Sequence, residues 1–202
     1  MRSPIRRMRL HRQRRDGVSG GNLDGLLSPF LRDRRLAAAR PHIWGRVLDF
    51  GCGRADVCRF VGEDNYVGVD LDEAILAVAR HAFPRATLLS PVEFTAWSGP
   101  SFDTIVALAV IEHLPEPVEF LESMKRHLDN AGRIVISTPA PSLDWIHGLG
   151  ARMGVFASES HEEHQSLMNR RGLIRTAEAA GLRLVKYQRF LLGANQLAVL
   201  TH

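Results

Sequence analysis

The sequence predicts a doubly wound α/β fold: a seven-stranded sheet, mostly parallel, with an antiparallel edge strand. Three observations predict it. Short apolar runs alternate with helical patterns from residue 28 to residue 137. The stretch from Phe102 to Ala109 is apolar almost throughout, as in a central parallel strand covered on both faces. Two strand-like runs close the chain with no helical pattern between them, which suits an antiparallel pair. At 202 residues the chain fits one domain and is long enough to bury a core unaided.

Ser28 and Pro29 precede an apolar-periodic stretch from Phe30 to Arg40 and read as an N-cap and N1 proline, with Pro41 as the stop. Arg46 to Phe50 is the first strand, running into the glycine turn at Gly51 and Gly53. A short helix from about Ala55 to Val61 leads to the second strand, Tyr66 to Asp70. Leu71 to Ala82 carries apolar residues at helical spacing, and Ala86 to Leu89 reads as the third strand. Phe102 to Ala109 is the fourth strand, Pro117 to Leu128 a helix, and Gly132 to Ser137 the fifth strand. Residues 139–165 mix Pro, Gly, Trp and His without a period and read as a lid or substrate insertion. Arg170 to Ala180 is a helix stopped by Gly181, followed by strands at Leu182 to Tyr187 and Asn195 to Thr201. Residues 1–24 are expected to be a disordered basic tail and 25–202 the folded domain.

The net charge of +4 is unevenly placed. Seven arginines before residue 16 stand against Asp16 alone, so the rest of the chain carries a small negative excess. The tail reads first as a solvated extension, with contact to nucleic acid or anionic lipid, and targeting, as the other readings. The body offers no basic surplus for a polyanion. The longest apolar run, Ile105 to Ile111, is far short of the roughly 20 residues that span a bilayer, so an integral membrane protein is excluded. Two cysteines, Cys52 and Cys58, suit a reducing compartment, and the cytoplasm is the expected location.

Ligands of doubly wound sheets bind at the carboxyl ends of the strands. Asp49, Gly51 and Gly53 end the first strand there, and Asp70 ends the second. Glycine lets the backbone approach a ligand closely, and a carboxylate at position 70 can accept from the two hydroxyls of a ribose. A dinucleotide fingerprint would place a third glycine at position 56, which is Asp. No phosphate-cradling lysine follows a glycine either. The acid ahead of the glycines suits a cationic or ammonium-bearing ligand.

These residues resemble a known family. Val47 to Asp56 resembles motif I of the class I S-adenosylmethionine-dependent methyltransferases. Val67 to Leu71 is similar to their following acidic motif, and Phe102 to Leu114 to the strand-four motif of their small-molecule branch. The resemblance covers about residues 28–138 and implies a Rossmann-like sheet binding S-adenosyl-L-methionine. It implies that Gly51, Cys52 and Gly53 pass beneath the methionine and ribose, and that Asp49 orients the turn near the cofactor's amino group. Asp70 would bind the ribose hydroxyls and Leu71 would pack on adenine. Backbone at Leu108 and Ala109 would meet the methionine amine. Two positions depart from the pattern. Ala55 stands where the third motif glycine belongs, and Ser90 with Pro91 stands where relatives often carry an Asp for the adenine amino group.

The strand-four sequence Ala107 to Val110 lacks the Pro-Pro-aromatic signature of amino-methylating nucleic-acid enzymes, so a small metabolite is the expected acceptor and nucleic acid is not. Transfer from sulfonium to an O, N, S or C atom is then mostly positioning, with an optional base. His113, beside Glu112, is the candidate base, with helix capping as its structural alternative. His161 and His164 read as substrate contacts or an exposed turn, and their spacing falls short of a metal set, so no metal is expected. Trp145 and His147, with Met153 and Phe156, are the candidate substrate pocket. Arg32 or Arg35 could reach the methionine carboxylate, against a solvated helix face. A cofactor-binding module without catalysis, and a nucleic-acid enzyme tethered by its arginine tail, are the rival readings.

Overall fold

The computed structural model describes residues 23–141 and 168–202, with side chains from residue 29 onward. Its strands are Val47–Phe50 (β1), Tyr66–Val69 (β2), Thr87–Leu89 (β3), Phe102–Leu108 (β4), Leu128–Pro139 (β5), Arg183–Phe190 (β6) and Asn195–Thr201 (β7). Its α-helices are Leu23–Ala39 (α1), Cys58–Val61 (α2), Glu73–Ala82 (α3), Pro91–Phe94 (α4), Pro117–Lys125 (α5) and Arg170–Ala179 (α6). The sheet order is β3-β2-β1-β4-β5-β7-β6. The pairings from β3 through to β5 are parallel, and β7 runs antiparallel to both β5 and β6. The antiparallel pairings thus gather at one side of the sheet, with β7 inserted between β5 and the outermost strand.

Side-chain alternation along the strands builds the two covering layers. Leu48 and Phe50 of β1, Ile105 and Ala107 of β4, Ile134 and Ile136 of β5, and Ala198 and Leu200 of β7 all join one core. That core also holds Phe94, Phe120, Leu121, Met124, Leu173 and Ala177 from α4, α5 and α6. The intervening Val47 and Val106 face Cys58, Leu76 and Ala79 from α2 and α3. Val135, Leu197 and Val199 face Ala39 of α1. An apolar side chain of that size, fully buried, contributes about 1.5–3 kcal/mol, so both faces of the sheet are needed to hold the strand order.

Several boundaries differ from the sequence reading, among them α5, which ends at Lys125 rather than Leu128, and β6, which runs on to Phe190; four others have a clear local reason. α1 is already helical at Leu23, the first described residue, so Ser28 and Pro29 lie within it rather than at its start. The apolar spacing of Leu23, Leu26, Leu27, Phe30 and Leu31 carries the stripe back across the proline. α2 begins at Cys58 because Ala55 has φ 60°, a left-handed conformation no α-helix contains. α3 begins at Glu73 because Asp72 caps it, accepting from the N–H groups of Ala74 and Ile75 at 3.1 and 3.2 Å. β5 starts at Leu128, four residues before the expected Gly132, since Leu128 already pairs with Phe102. Residues 1–22 of the expected basic tail and nearly all of segment 139–165 lie outside the described residues, as do Trp145, His147, Met153, Phe156, His161 and His164, whereas Leu23 and Asp24, expected in the tail, are helical.

Candidate functional site

The strand order reverses direction between β1 and β4, and the crevice at such a point receives the ligand in open α/β sheets. The glycine turn lies at that point. Val69 closes it from below: its carbonyl accepts from both Gly51 N–H, at 2.7 Å, and Cys52 N–H, at 3.0 Å. Gly51 has φ 77°, and a Cβ added there would lie 2.5 Å from Val110 Cγ2, so the turn rides directly against the loop after β4. Gly53 has φ 53°, and its added Cβ would meet nothing within 4 Å. One glycine is therefore required by the protein's own packing, while the other borders open space.

Asp70 ties this turn to the end of β2. Its Oδ2 accepts from Gly53 N–H at 2.8 Å and its Oδ1 from Asp72 N–H at 2.9 Å. An ionised carboxylate has about four lone-pair sites, so two remain for a vicinal diol. Asp70 N–H donates to Leu89 O at 3.2 Å, which brings the end of β3 alongside. Leu71, half-buried, follows directly.

Asp49 lies beneath the turn rather than in it. It is 4% exposed, and Oδ2 accepts the Tyr66 phenol at 2.8 Å. Gly68 makes this contact available, because a Cβ there would fall 2.7 Å from Leu88, 2.9 Å from Cys52 Sγ and 3.0 Å from the Tyr66 ring. Burial pushes the Asp49 carboxyl up to about 7, against the phenol's hydrogen bond and with Asp70 and Asp56 acting in the same direction as burial. A carboxyl raised above its unfolded value favours the folded state fully below that unfolded value, near 3.8. The advantage is lost as pH climbs through the folded value. Asp49→Asn, which keeps an acceptor for Tyr66, is therefore expected to melt above the wild type at about pH 8 and level with it at about pH 4. Thermal melts across that range check it, and a lower melting point at the alkaline end contradicts it. Burial also raises the Cys52 thiol, which leaves no reactive thiolate in the turn.

The end of β3 is more occupied than the sequence suggested. Ser90 caps α4 through a reciprocal box: its Oγ accepts from Glu93 N–H at 3.3 Å, and its own N–H donates to Glu93 Oε2 at 2.6 Å. The Ser90 hydroxyl keeps its proton and one acceptor lone pair beyond the box. Pro91 is buried in the first turn.

At the end of β4, Leu108 and Ala109 are half-buried. Ala109 adopts φ 57° and gives its N–H to Ser137 O at 2.8 Å. A left-handed alanine carries about 1–2 kcal/mol of strain, and carbonyl oxygens are the backbone groups here that can accept from an ammonium. The 3₁₀ turn Ile111–His113 follows, with Glu112 1% exposed and His113 exposed. Arg32 of α1 pairs with Asp56 at 3.2 Å, and Arg35 donates to Asn195 at 3.2 Å. Among the described residues, no group of three or more His, Cys, Asp or Glu is placed to hold a metal ion. None of their helices is long and apolar enough to cross a membrane.

Asp49, Gly51, Cys52, Gly53, Asp70, Leu71, Ser90, Pro91, Leu108, Ala109 and His113 thus lie at or after the carboxyl ends of the neighbouring strands β1, β2, β3 and β4. The sequence reading missed Tyr66, Gly68 and Val110. An aromatic two residues before a strand glycine, opposite a strand acid, was the available signal for the first two.

Known proteins resemble this chain in sequence and in fold. A family model described as a methyltransferase domain matches residues 20–187. A ubiquinone biosynthesis O-methyltransferase of Aeromonas salmonicida is 29% identical over 149 residues, 68% of this chain and 62% of that protein. Its namesake from Idiomarina loihiensis is 30% identical over 148 residues, 68% of this chain and 61% of that one. The chain thus spans somewhat under two thirds of the length of these relatives. Among solved structures, an S-adenosylmethionine-dependent methyltransferase from Mesorhizobium loti superposes with a TM-score of 0.65 at 16% identity, covering 85% of this chain and 100% of that one. One from Archaeoglobus fulgidus gives 0.65 at 18% identity, covering 90% and 100%. These likenesses establish a shared fold.

Proposed function

The chain belongs to the class I methyltransferase family, and from that premise we propose that it transfers a methyl group from S-adenosyl-L-methionine to a nucleophilic atom of a small metabolite. The acceptor atom is O, N, S or C, with a hydroxyl favoured by the O-methyltransferase names of the relatives. One observation carries the cofactor reading: Asp70 holds the glycine turn through Gly53 and keeps lone pairs for a diol, at the point where a Cβ on Gly53 would enter open space. Bound there, the cofactor supplies an electrophilic methyl group on a sulfonium.

The chain's own contribution is then positional. Gly53 admits the ligand close to the backbone, Asp70 fixes the sugar, and Leu71 covers the base. The carbonyls at Leu108 and Ala109 receive an ammonium. His113, exposed at the mouth of the turn after β4, takes a proton from the acceptor where the nucleophile is weakly acidic. The acceptor side is the proposed insertion, residues 139–165, with Trp145, His147, His161 and His164 as the proposed contacts. Two buried free cysteines and the slight negative excess of the body fit a cytoplasmic enzyme of a metabolite rather than a nucleic-acid one.

Isothermal titration of the full chain with S-adenosylmethionine and S-adenosylhomocysteine tests the cofactor reading, and micromolar binding of both is expected. Methyl transfer to a panel of phenols, thiols and amines then tests the activity. Cofactor binding without transfer to any of them favours the non-catalytic reading, and no binding of either nucleoside refutes both.

A further inference from the structure

At the amino-terminal edge of the sheet, opposite the end that carries the glycine turn, cations gather without counter-charges. Arg133 of β5 lies alongside Thr104 of β4, and Thr104 Oγ1 holds Trp44, accepting from its N–H at 3.1 Å and donating to its carbonyl at 2.8 Å. These bonds keep Trp44, 42% exposed, against Arg133, whose guanidinium lies 5.5 Å from the centre of the indole ring. On the other flank Ile134 faces Leu200 of β7, so the next step along brings Thr201 beside Arg133 on one face of the sheet. That face is the one α1 covers at Val135 and Val199. Lys186 of β6 lies opposite Val199, so its exposed side chain stands on the same face. His42, from the 3₁₀ turn Arg40–His42, sits within reach of both cations: burial first, then Lys186 and Arg133, hold its imidazole below the ordinary pKa. Arg133 Nε and Thr201 Oγ1 are both withdrawn from water with no hydrogen-bond partner.

Other cations of the domain are matched: Arg32 pairs with Asp56, Arg80 with Glu73, and Lys125 Nζ donates to the carbonyl of Gly181. Among the described residues neither Arg133 nor Lys186 is in an ion pair. Asp103, the acid next to Thr104, accepts from Arg46 N–H at 2.7 Å. Cationic and hydroxyl groups left unmatched at a half-buried position are costly, and a planar guanidinium beside an ammonium matches a tetrahedral oxyanion. We propose that Arg133, Lys186, Thr201 and His42 form a binding site for the phosphate monoester group of a small molecule, with Trp44 as the flat wall for its organic part. A monoester carries close to two negative charges at about pH 8, which the two fixed cations balance, whereas a carboxylate carries one. The site is separate from the cofactor crevice. Thr104 and its neighbour Val47 open β4 and β1, while Gly51, Gly53 and Asp70 follow the carboxyl ends of β1 and β2.

Titration of the full chain with phenyl phosphate and with benzoate, at about pH 8 and low salt, followed by amide shifts in nitrogen–proton correlation spectra, tests the site. Phenyl phosphate is expected to bind at about 1 mM or tighter and to shift amides around residues 42–44, 133, 186 and 201. Benzoate, with the same ring and a single charge, is expected to bind about 5-fold more weakly or worse. R133Q and K186Q are each expected to weaken phenyl phosphate by about 10-fold or more, while affinity for S-adenosylhomocysteine stays within about twofold. Lys186 is exposed, so K186Q carries the test should R133Q fail to fold. A wild type that does not bind phenyl phosphate overturns the proposal, as does equal affinity for benzoate, unchanged affinity in folded K186Q, or a set of shifts confined to the glycine turn. Loss of both phenyl phosphate and S-adenosylhomocysteine in folded variants makes Arg133 and Lys186 structural residues and overturns it as well.

Discussion

Replacing Asp70 with alanine is expected to lower affinity for S-adenosylmethionine and S-adenosylhomocysteine by about 100-fold in a protein that still folds. Losing charge-assisted hydrogen bonds from a diol costs about 1.5–3 kcal/mol, or one to two orders of magnitude. The structure pushes the expectation toward the upper end of that range. The same carboxylate accepts from Gly53 N–H and Asp72 N–H, so its removal also unties the glycine turn from the start of α3. The fold itself should lose little, because those N–H groups are only part-buried and water can reach them. A change of about 1 kcal/mol corresponds to 2–4 °C in melting temperature for a domain of this size. Asp70→Asn separates the two contributions. It keeps one oxygen for Gly53 but replaces the other with a donor, so the turn is partly held while the diol loses an acceptor. Calorimetry beside thermal denaturation measures both, and wild-type affinity in a folded Asp70→Ala protein removes the ribose assignment.

Much of this site was legible in the sequence, and the reasons are physical. Strands β1, β2 and β4 are short apolar runs whose ends coincide with residues of special chemistry, so locating the runs also located Asp49, Gly51, Gly53 and Asp70. The closing pair was legible because no helical period separates Gln188 from Asn195. What stayed hidden depends on contacts between elements distant in sequence. Asp49 reads as an open acid until Tyr66, 17 residues on, is seen to cover it across the β1–β2 register. Ser90 reads as a free hydroxyl until α4 forms and Glu93 closes the capping box. Ala55 reads as a mild replacement at a helix start, but it occupies a left-handed position that delays the helix by three residues. Glu112 and His113 look like one polar pair, and only the turn geometry sends one inward and the other out.

The two glycines of the first turn are expected to fail in opposite ways, which makes them a sharper probe than either alone. At Gly51 the added Cβ would lie 2.5 Å from Val110 Cγ2, at φ 77°. Gly51→Ala therefore combines left-handed strain with a steric conflict inside the protein, each of about 1–3 kcal/mol, and should appear mainly as a lowered melting temperature. At Gly53 nothing lies within 4 Å of the added Cβ, and φ is 53°. Gly53→Asn suits such a position, because asparagine tolerates the left-handed region better than other side chains, so the fold should lose about 1 kcal/mol or less. Its side chain, however, occupies the space a ligand needs to lie against the backbone, and cofactor affinity should fall by 100-fold or more. Melting curves and calorimetry on both variants check the contrast. If Gly53→Asn binds as the wild type does, the ligand does not cross the turn at that residue, and the open space above it has another use.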